Sequence, residues 1–307
     1  MPICYLEGFD ELMAKVKSFN FPRNPDFLFV SNDFESFEVF KLYSALCSEK
    51  GIPYLIGQHG NNYGVNRIVS PTIEEEVATK FITWGWSSAD SRYVPGFIFK
   101  VKPKSVNLVN SGGLLFVQSP FKFFLPKFNE DQDFDSYFDD QVKFIDSLQP
   151  RILNEVMVKL NTSTASSISE DIARLKEINS QIKIYTYEMS YEEIRSKSRI
   201  TVFAYDSTGI LENLAQNIPT IAFWQNGTHH VADFAQPDYQ SLLEIGVLHL
   251  TPESAALKVS QVWDNVESWW SSDIVQKVRI SFCLNYARTS RKPIRDLRKI
   301  IKDSISD

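Results

Sequence analysis

A single histidine, His59, stands between Gln58 and Gly60 directly after an apolar run, and an imidazole at a strand end can take up a proton near neutral pH. That chemistry suits a general base. Gly60 and Gly64 bracket Asn61, Asn62 and Tyr63, so the 58–64 loop allows close backbone approach to a bound molecule. Glu74, Glu75 and Glu76 are the alternative base, although three consecutive acids ordinarily mark a solvated helix start. A second polar loop, Tyr205-Asp206-Ser207-Thr208-Gly209, also follows an apolar run and opens a helix. There the hydroxyls of Ser207 and Thr208 join free backbone N–H groups at the positive end of the helix dipole, a setting that holds phosphate. Glu212 follows one turn later, within reach of a ribose; the plainer reading makes Ser207 an N-cap and Glu212 a partner of the dipole. Lys159, at the end of another apolar run, reaches either a phosphate or solvent. No metal is expected: His229-His230 with Asp233 lacks the i, i+4 histidine spacing, and adjacent histidines on extended chain point apart. Trp84, Trp86, Trp263, Trp269 and Trp270 could stack a sugar but more naturally anchor a core.

These loops need strands to carry them. Apolar runs at 26–30, 52–56 and 80–84 predict three strands, with a helix over 34–50. A second block opens at 114–118 and continues with a helix over 133–148, a strand at 155–160, a helix over 169–179 and strands at 182–185 and 200–204. A helix over 210–216, a strand at 219–224 and an apolar helical face from residue 252 complete it. The βα alternation predicts an α/β fold with two Rossmann-like parallel-sheet domains, 1–105 and 106–307, the boundary lying within 95–111. Doubly wound sheets bind ligands beyond the carboxyl ends of their strands, where both loops sit, so the two are expected to face one cleft.

Composition excludes several classes. The 307 residues are 43% apolar and 13% aromatic, enough for one large core or two ordinary ones. A net charge of −6 disfavours general binding to nucleic acid. Cys4, Cys47 and Cys283 are widely spaced, which fits a reducing compartment. No apolar run approaches the roughly 18 residues of a membrane span, and the first residues lack a signal-peptide pattern, so a cytoplasmic protein is expected. Arg288, Arg291, Lys292, Arg295, Arg298, Lys299 and Lys302 crowd the last helix, where they either complement its dipole or meet anionic lipid at the inner face of a membrane.

Longer stretches resemble a family of bacterial surface-carbohydrate transferases first catalogued from Leptospira. The likeness rests on Gly57-Gln58-His59-Gly60-Asn61-Asn62-Tyr63-Gly64 with Thr83-Trp84-Gly85-Trp86, and on Tyr205-Asp206-Ser207-Thr208 with Leu211-Glu212. It continues through Asn217-Ile218-Pro219-Thr220-Ile221, Phe223-Trp224, the 251–256 segment, Trp263-Asp264, Trp269-Trp270 and residues 282–288. A GT-B glycosyltransferase-like fold is implied, with a nucleotide-sugar donor in the C-terminal domain and a glycan or lipid-linked acceptor toward the N-terminal one. The resemblance, with a more distant one to teichoic-acid glycerophosphotransferases and capsule Kdo transferases, implies His59 as base. The donor would be held by Ser207, Thr208 and Glu212, with Lys159 and Ser119 as further contacts. The nucleotide sugar is then a substrate, and no metal or other cofactor is required. Two departures stand out. Lys159-Leu160-Asn161-Thr162 replaces an arginine and an aromatic-Asp-Gly run, and with only about 105 residues before the second block the first domain is expected to be short or truncated. Two other functions use the same cleft: a non-catalytic nucleotide- or partner-binding module, and a sugar-nucleotide epimerase.

Overall fold

Strands buried on both faces read as unbroken apolar runs, and such runs build both sheets of this protein. The computed structural model describes residues 3–34, 36–101, 112–118, 134–160, 165–186, 188–224 and 227–306. The first sheet holds β1 (Leu28–Val30), β2 (Tyr54–Gly57), β3 (Lys80–Thr83) and β4 (Tyr93–Pro95), all parallel and in sequence order. Pro95 is tolerated because β4 is an edge strand. Helices α1 (Phe9–Ser18), α2 (Glu38–Ser48) and α3 (Ile73–Val77) accompany this sheet. A capping box in which Thr72 accepts from the Glu75 N–H starts α3.

The second sheet is six-stranded: β5 (Gly113–Val117), β6 (Val156–Lys159), β7 (Lys183–Tyr185), β8 (Ser198–Phe203), β9 (Thr220–Phe223) and β10 (Leu248–His249). Its spatial order is β10-β9-β8-β5-β6-β7, again parallel throughout. The chain builds outward from β5 on one side, then returns to place β8 on the other. That reversal between β5 and β8 opens a crevice beyond their carboxyl ends, where residues 204–208 lie. Helices α4 (Phe134–Asp146), α5 (Pro150–Leu153), α6 (Ala165–Ile178), α7 (Tyr191–Arg195) and α8 (Thr208–Ala215) alternate with these strands. After β9 come α9 (Gln236–Glu244), α10 (Pro252–Val262), α11 (Val266–Trp270), α12 (Asp273–Tyr286) and α13 (Pro293–Ser306). No helix among the described residues is long and apolar enough to cross a membrane.

One hydrophobic cluster runs through both halves, joining Tyr54, Phe81 and Trp84 to Trp270, Phe282 and Tyr286. A second fills the six-stranded half, where Phe116, Phe144 and Phe223 stack 5.3–6.4 Å apart. Trp84 and Trp270 are fully buried, and Trp86 and Trp263 nearly so; these rings are core. The end of the chain, grouped by sequence with the second block, returns to the first sheet. Arg288 N–H donates to the Trp84 carbonyl (2.9 Å), the Arg288 carbonyl accepts from Ile98 N–H (2.8 Å), and the position a Cβ would take at Gly96 is 3.8 Å from Ile300. The expected boundary at 105/106 lies outside the described residues.

Candidate active site

The turn after β2 is shaped by a buried amide. Gln58 accepts hydrogen bonds from Trp84 N–H (2.8 Å) and Trp86 Nε1 (3.0 Å) through Oε1, and donates from Nε2 to the Gly60 carbonyl (2.7 Å). It holds the loop instead of facing a ligand. Gly64 (φ +67°) sits where any Cβ would meet the Trp86 ring at 2.6 Å, so its glycine serves packing. Gly60 serves closeness: a Cβ there would lie 3.1 Å from the Thr208 hydroxyl of the other half.

Between these glycines the imidazole of His59 is set by two neighbours. The Tyr63 hydroxyl lies 3.0 and 3.2 Å from its ring nitrogens and donates a short hydrogen bond to Glu74, whose carboxylate is 3.8 Å from His59 Nδ1. Glu74 and Glu75 are not solvated, as three acids in a row had suggested. Glu75 is buried as the return half of the capping box and accepts from the Ser70 hydroxyl, while Glu74, on the adjoining position, is turned toward His59. The readable signal was Thr72-x-x-Glu75, a capping box that fixes which acid faces inward.

On the other side stands the start of α8. Ser207 Oγ accepts from Gly209 N–H (3.1 Å) and donates to Tyr205 Oη (3.2 Å), so its hydroxyl is engaged as the N-cap. Burial pushes the Tyr205 phenol up and keeps it protonated. Asp206 presents its carboxylate to His230 Nε2 at 3.2 Å and its carbonyl to Asn61 Nδ2 at 3.0 Å. Thr208 is the member of the hydroxyl pair that reaches the cleft. Its Oγ1 donates to Asn61 Oδ1 (3.0 Å) and accepts from Asn61 N–H (3.2 Å). Glu212 follows one turn later, its carboxyl raised by burial and by Glu192 against the opposing pull of Lys100.

These groups share one cavity of about 1220 Å³, lined by His59, Gly60, Asn61, Tyr63, Glu74, Lys100, Thr208 and Glu212 among others. The two carboxyl edges thus meet, joined below by Arg67 N–H to the His230 carbonyl (2.9 Å) and Ala232 N–H to the Val65 carbonyl (2.6 Å). Gln58, Gly64, Tyr205, Asp206 and Ser207 support the loops without lining the cavity. Lys159 lies apart, its ammonium donating to the Thr186 carbonyl, and Ser119 falls outside the described residues. Among the described residues no three His, Cys, Asp or Glu side chains gather as metal ligands; Asp233 faces Arg67 at 3.8 Å. Sequence reasoning missed Lys100, which lay in a stretch read as a boundary.

A model of the family described as LIC12162 family transferase matches residues 1–301. No curated protein matches the chain. Among solved structures, Anabaena HepE in complex with UDP-glucose is similar over 100% of this chain and 84% of its own, at 11% identity and a TM-score of 0.53. The same protein with UDP and glucose gives a TM-score of 0.52. A variant of S. aureus TarM, solved with fondaparinux, alpha-GlcNAc-glycerol and UDP, matches 89% of this chain and 54% of its own, at 12% identity and a TM-score of 0.50. At such identities the likeness establishes the fold, which is α/β of the GT-B type expected from the sequence.

Proposed function

Because the chain belongs to the LIC12162 family of transferases, we propose that it moves a sugar from a nucleotide-activated donor to a hydroxyl of a surface-polysaccharide acceptor. One observation carries this reading: a proton acceptor from the first sheet and a helix start from the second line the same cavity. Its volume of about 1220 Å³ exceeds the roughly 300–1,000 Å³ of an ordinary small-molecule pocket and suits two substrates side by side. HepE, of the same fold, is seen with UDP-glucose, which supports a nucleotide-sugar donor here.

In this reading His59 takes the proton of the acceptor hydroxyl as its oxygen attacks the anomeric carbon, and the nucleoside phosphate departs with the bonding electrons. The positive charge gained by the imidazole is offset by Glu74 at 3.8 Å, while the Tyr63 hydroxyl fixes the ring. Charge on the departing phosphate faces the N-terminus of α8 at Thr208 and the Lys100 ammonium, which assist without a metal ion. Glu212, its carboxyl raised by burial, accepts from a ribose hydroxyl. The basic residues of α13 extend the reading to an inner-membrane surface, tested by salt-dependent binding to anionic vesicles.

The direct test is nucleotide release from CMP-, CDP-, UDP-, GDP- and dTDP-sugars with a glycan acceptor mixture. His59→Ala should lower kcat by about 10²–10⁴-fold with donor affinity kept. Normal turnover by that variant removes the base assignment; binding without turnover in the native protein favours a non-catalytic module.

A further inference from the structure

The adjacent histidines 229 and 230 have no part in the transfer reading, and they point apart. Their rings lie 5.9 Å from each other at 84°, with His229 exposed and His230 buried. The His230 imidazole packs on the Trp224 ring, 5.1 Å between centroids, and brings Nε2 to 3.2 Å from the Asp206 carboxylate. A carboxylate can only accept, so Nε2 carries the proton. Nδ1 is buried without a hydrogen-bond partner, which makes Nε2 the working end of the ring.

Both partners of this contact also grip the loop that carries His59. The Asp206 carbonyl accepts from Asn61 Nδ2 (3.0 Å), two residues after His59. At the other end of the loop the His230 carbonyl accepts from Arg67 N–H (2.9 Å), and Ala232 N–H donates to the Val65 carbonyl (2.6 Å). Two stretches of the second half, 205–208 and 228–232, therefore hold the two ends of one loop from the first, and the His230 side chain joins those stretches to each other. Gln236 Nε2 steadies the 228–232 stretch from α9 by donating to the Thr228 and Val231 carbonyls (2.6 and 2.9 Å). The tie from that stretch to Asp206 is what His230 adds.

We infer that His230 is a positioning residue for the transfer site: its Nε2–H fixes Asp206 against the 228–232 stretch, and through both it sets the loop that presents His59 to the cavity. This rests on the sugar-transfer reading, in which His59 takes the acceptor proton. His230 does not line the cavity and touches no reacting atom. Its effect on rate comes from geometry, since a reacting group misplaced by about 1 Å can cost about 10²-fold.

The test compares two amides of different reach in the full chain. His230→Gln places its amide nitrogen near the position of Nε2 and keeps a donor for Asp206, whereas His230→Asn places it near the position of Nδ1 and loses that donor. Nucleotide release from the CMP-, CDP-, UDP-, GDP- and dTDP-sugar panel gives kcat, calorimetry with the same panel gives donor Kd, and hydrogen exchange reports the 58–67 loop without any substrate. His230→Asn should lower kcat by about 10–100-fold, with donor Kd within about threefold of native because Ser207 caps α8 by itself. Exchange at the Asn61 and Arg67 amides should quicken by about tenfold. His230→Gln should restore both readouts to within about threefold of native. Asp206→Ala cuts the same link from its other side, so joining it to His230→Asn should cost no more than the worse single change, and it stands in for His230→Asn should that variant melt below the assay temperature. Equal kcat in His230→Asn and His230→Gln overturns the inference, as does a loss that falls on donor affinity instead of kcat. If the native protein releases no nucleotide from the panel, it is the transfer reading that falls; unchanged exchange over 58–67 in His230→Asn overturns the positioning role whether or not it does.

Discussion

Replacing Glu74 by glutamine tests the charge behind His59 with little change of shape. The amide oxygen still accepts the Tyr63 hydrogen bond, and the side chain stays buried in the same volume. What disappears is a negative charge 3.8 Å from His59 Nδ1. Two unit charges at that separation attract by about 4 kcal/mol at an effective dielectric of about 20. The His59 side chain is 19% exposed, so water screens part of this, and roughly 2 kcal/mol should reach the transition state, where the imidazole has taken the proton. That corresponds to a kcat about 30-fold lower. The assay is donor-saturated nucleotide release, with donor Kd measured in parallel by calorimetry. Donor Kd should hold, because Glu74 supports the acceptor-side base and not the α8 helix start. A Glu74→Gln enzyme within threefold of native kcat would refute the reasoning, and so would an equal loss of donor affinity, which would show a structural collapse.

Other consequences follow from the same geometry. Thr208→Val keeps the β-branch but removes both hydrogen bonds to Asn61; donor affinity should fall roughly fivefold, and Asn61→Ala should add little on top of it in a double-mutant cycle by calorimetry. Glu212→Gln should raise the melting temperature near neutral pH. Burial lifts this carboxyl in the folded state, so the native protein is favoured while the group is protonated and loses that advantage as pH rises through the folded-state value. The gap between variant and native melting curves should therefore close as pH falls toward about 4. Gly64→Ala forces a Cβ into the Trp86 ring at a positive φ and should cost about 2 kcal/mol in urea unfolding; unchanged stability would contradict the packing role.

Much of this was readable from pattern. The apolar runs at Tyr54–Gly57 and at the end of Ser198–Phe203 admitted no surface helix, and a polar, glycine-bearing loop after such a run stands at a strand's carboxyl end. His59 and Thr208 were found that way. Other features depend on contacts between distant segments, which periodicity does not encode. The return of α12 and α13 to the first sheet is fixed by backbone hydrogen bonds of Arg288 to Trp84 and Ile98, groups every residue carries. β4 was missed because three residues ending in proline give no strand signal, although an edge accepts them. Glu74 and Glu75 were misread because a charge run was weighed before its cap, while Glu76 is exposed as the run suggested.

Asn61 shows why position and chemistry cannot be separated here. Its side chain and N–H grip Thr208, and His59 stands two residues before it, so the loop carrying this imidazole is tied to the start of α8. Gly60 makes the contact feasible, since a side chain there would press on the same hydroxyl. The polar residues of this loop therefore divide their work: Gln58 fixes its fold, Asn61 its distance from α8, and His59 is left facing the cavity with Tyr63 and Glu74 behind it. In the proposed transfer, Asn61 therefore links the proton acceptor to the donor side without contacting the reacting atoms.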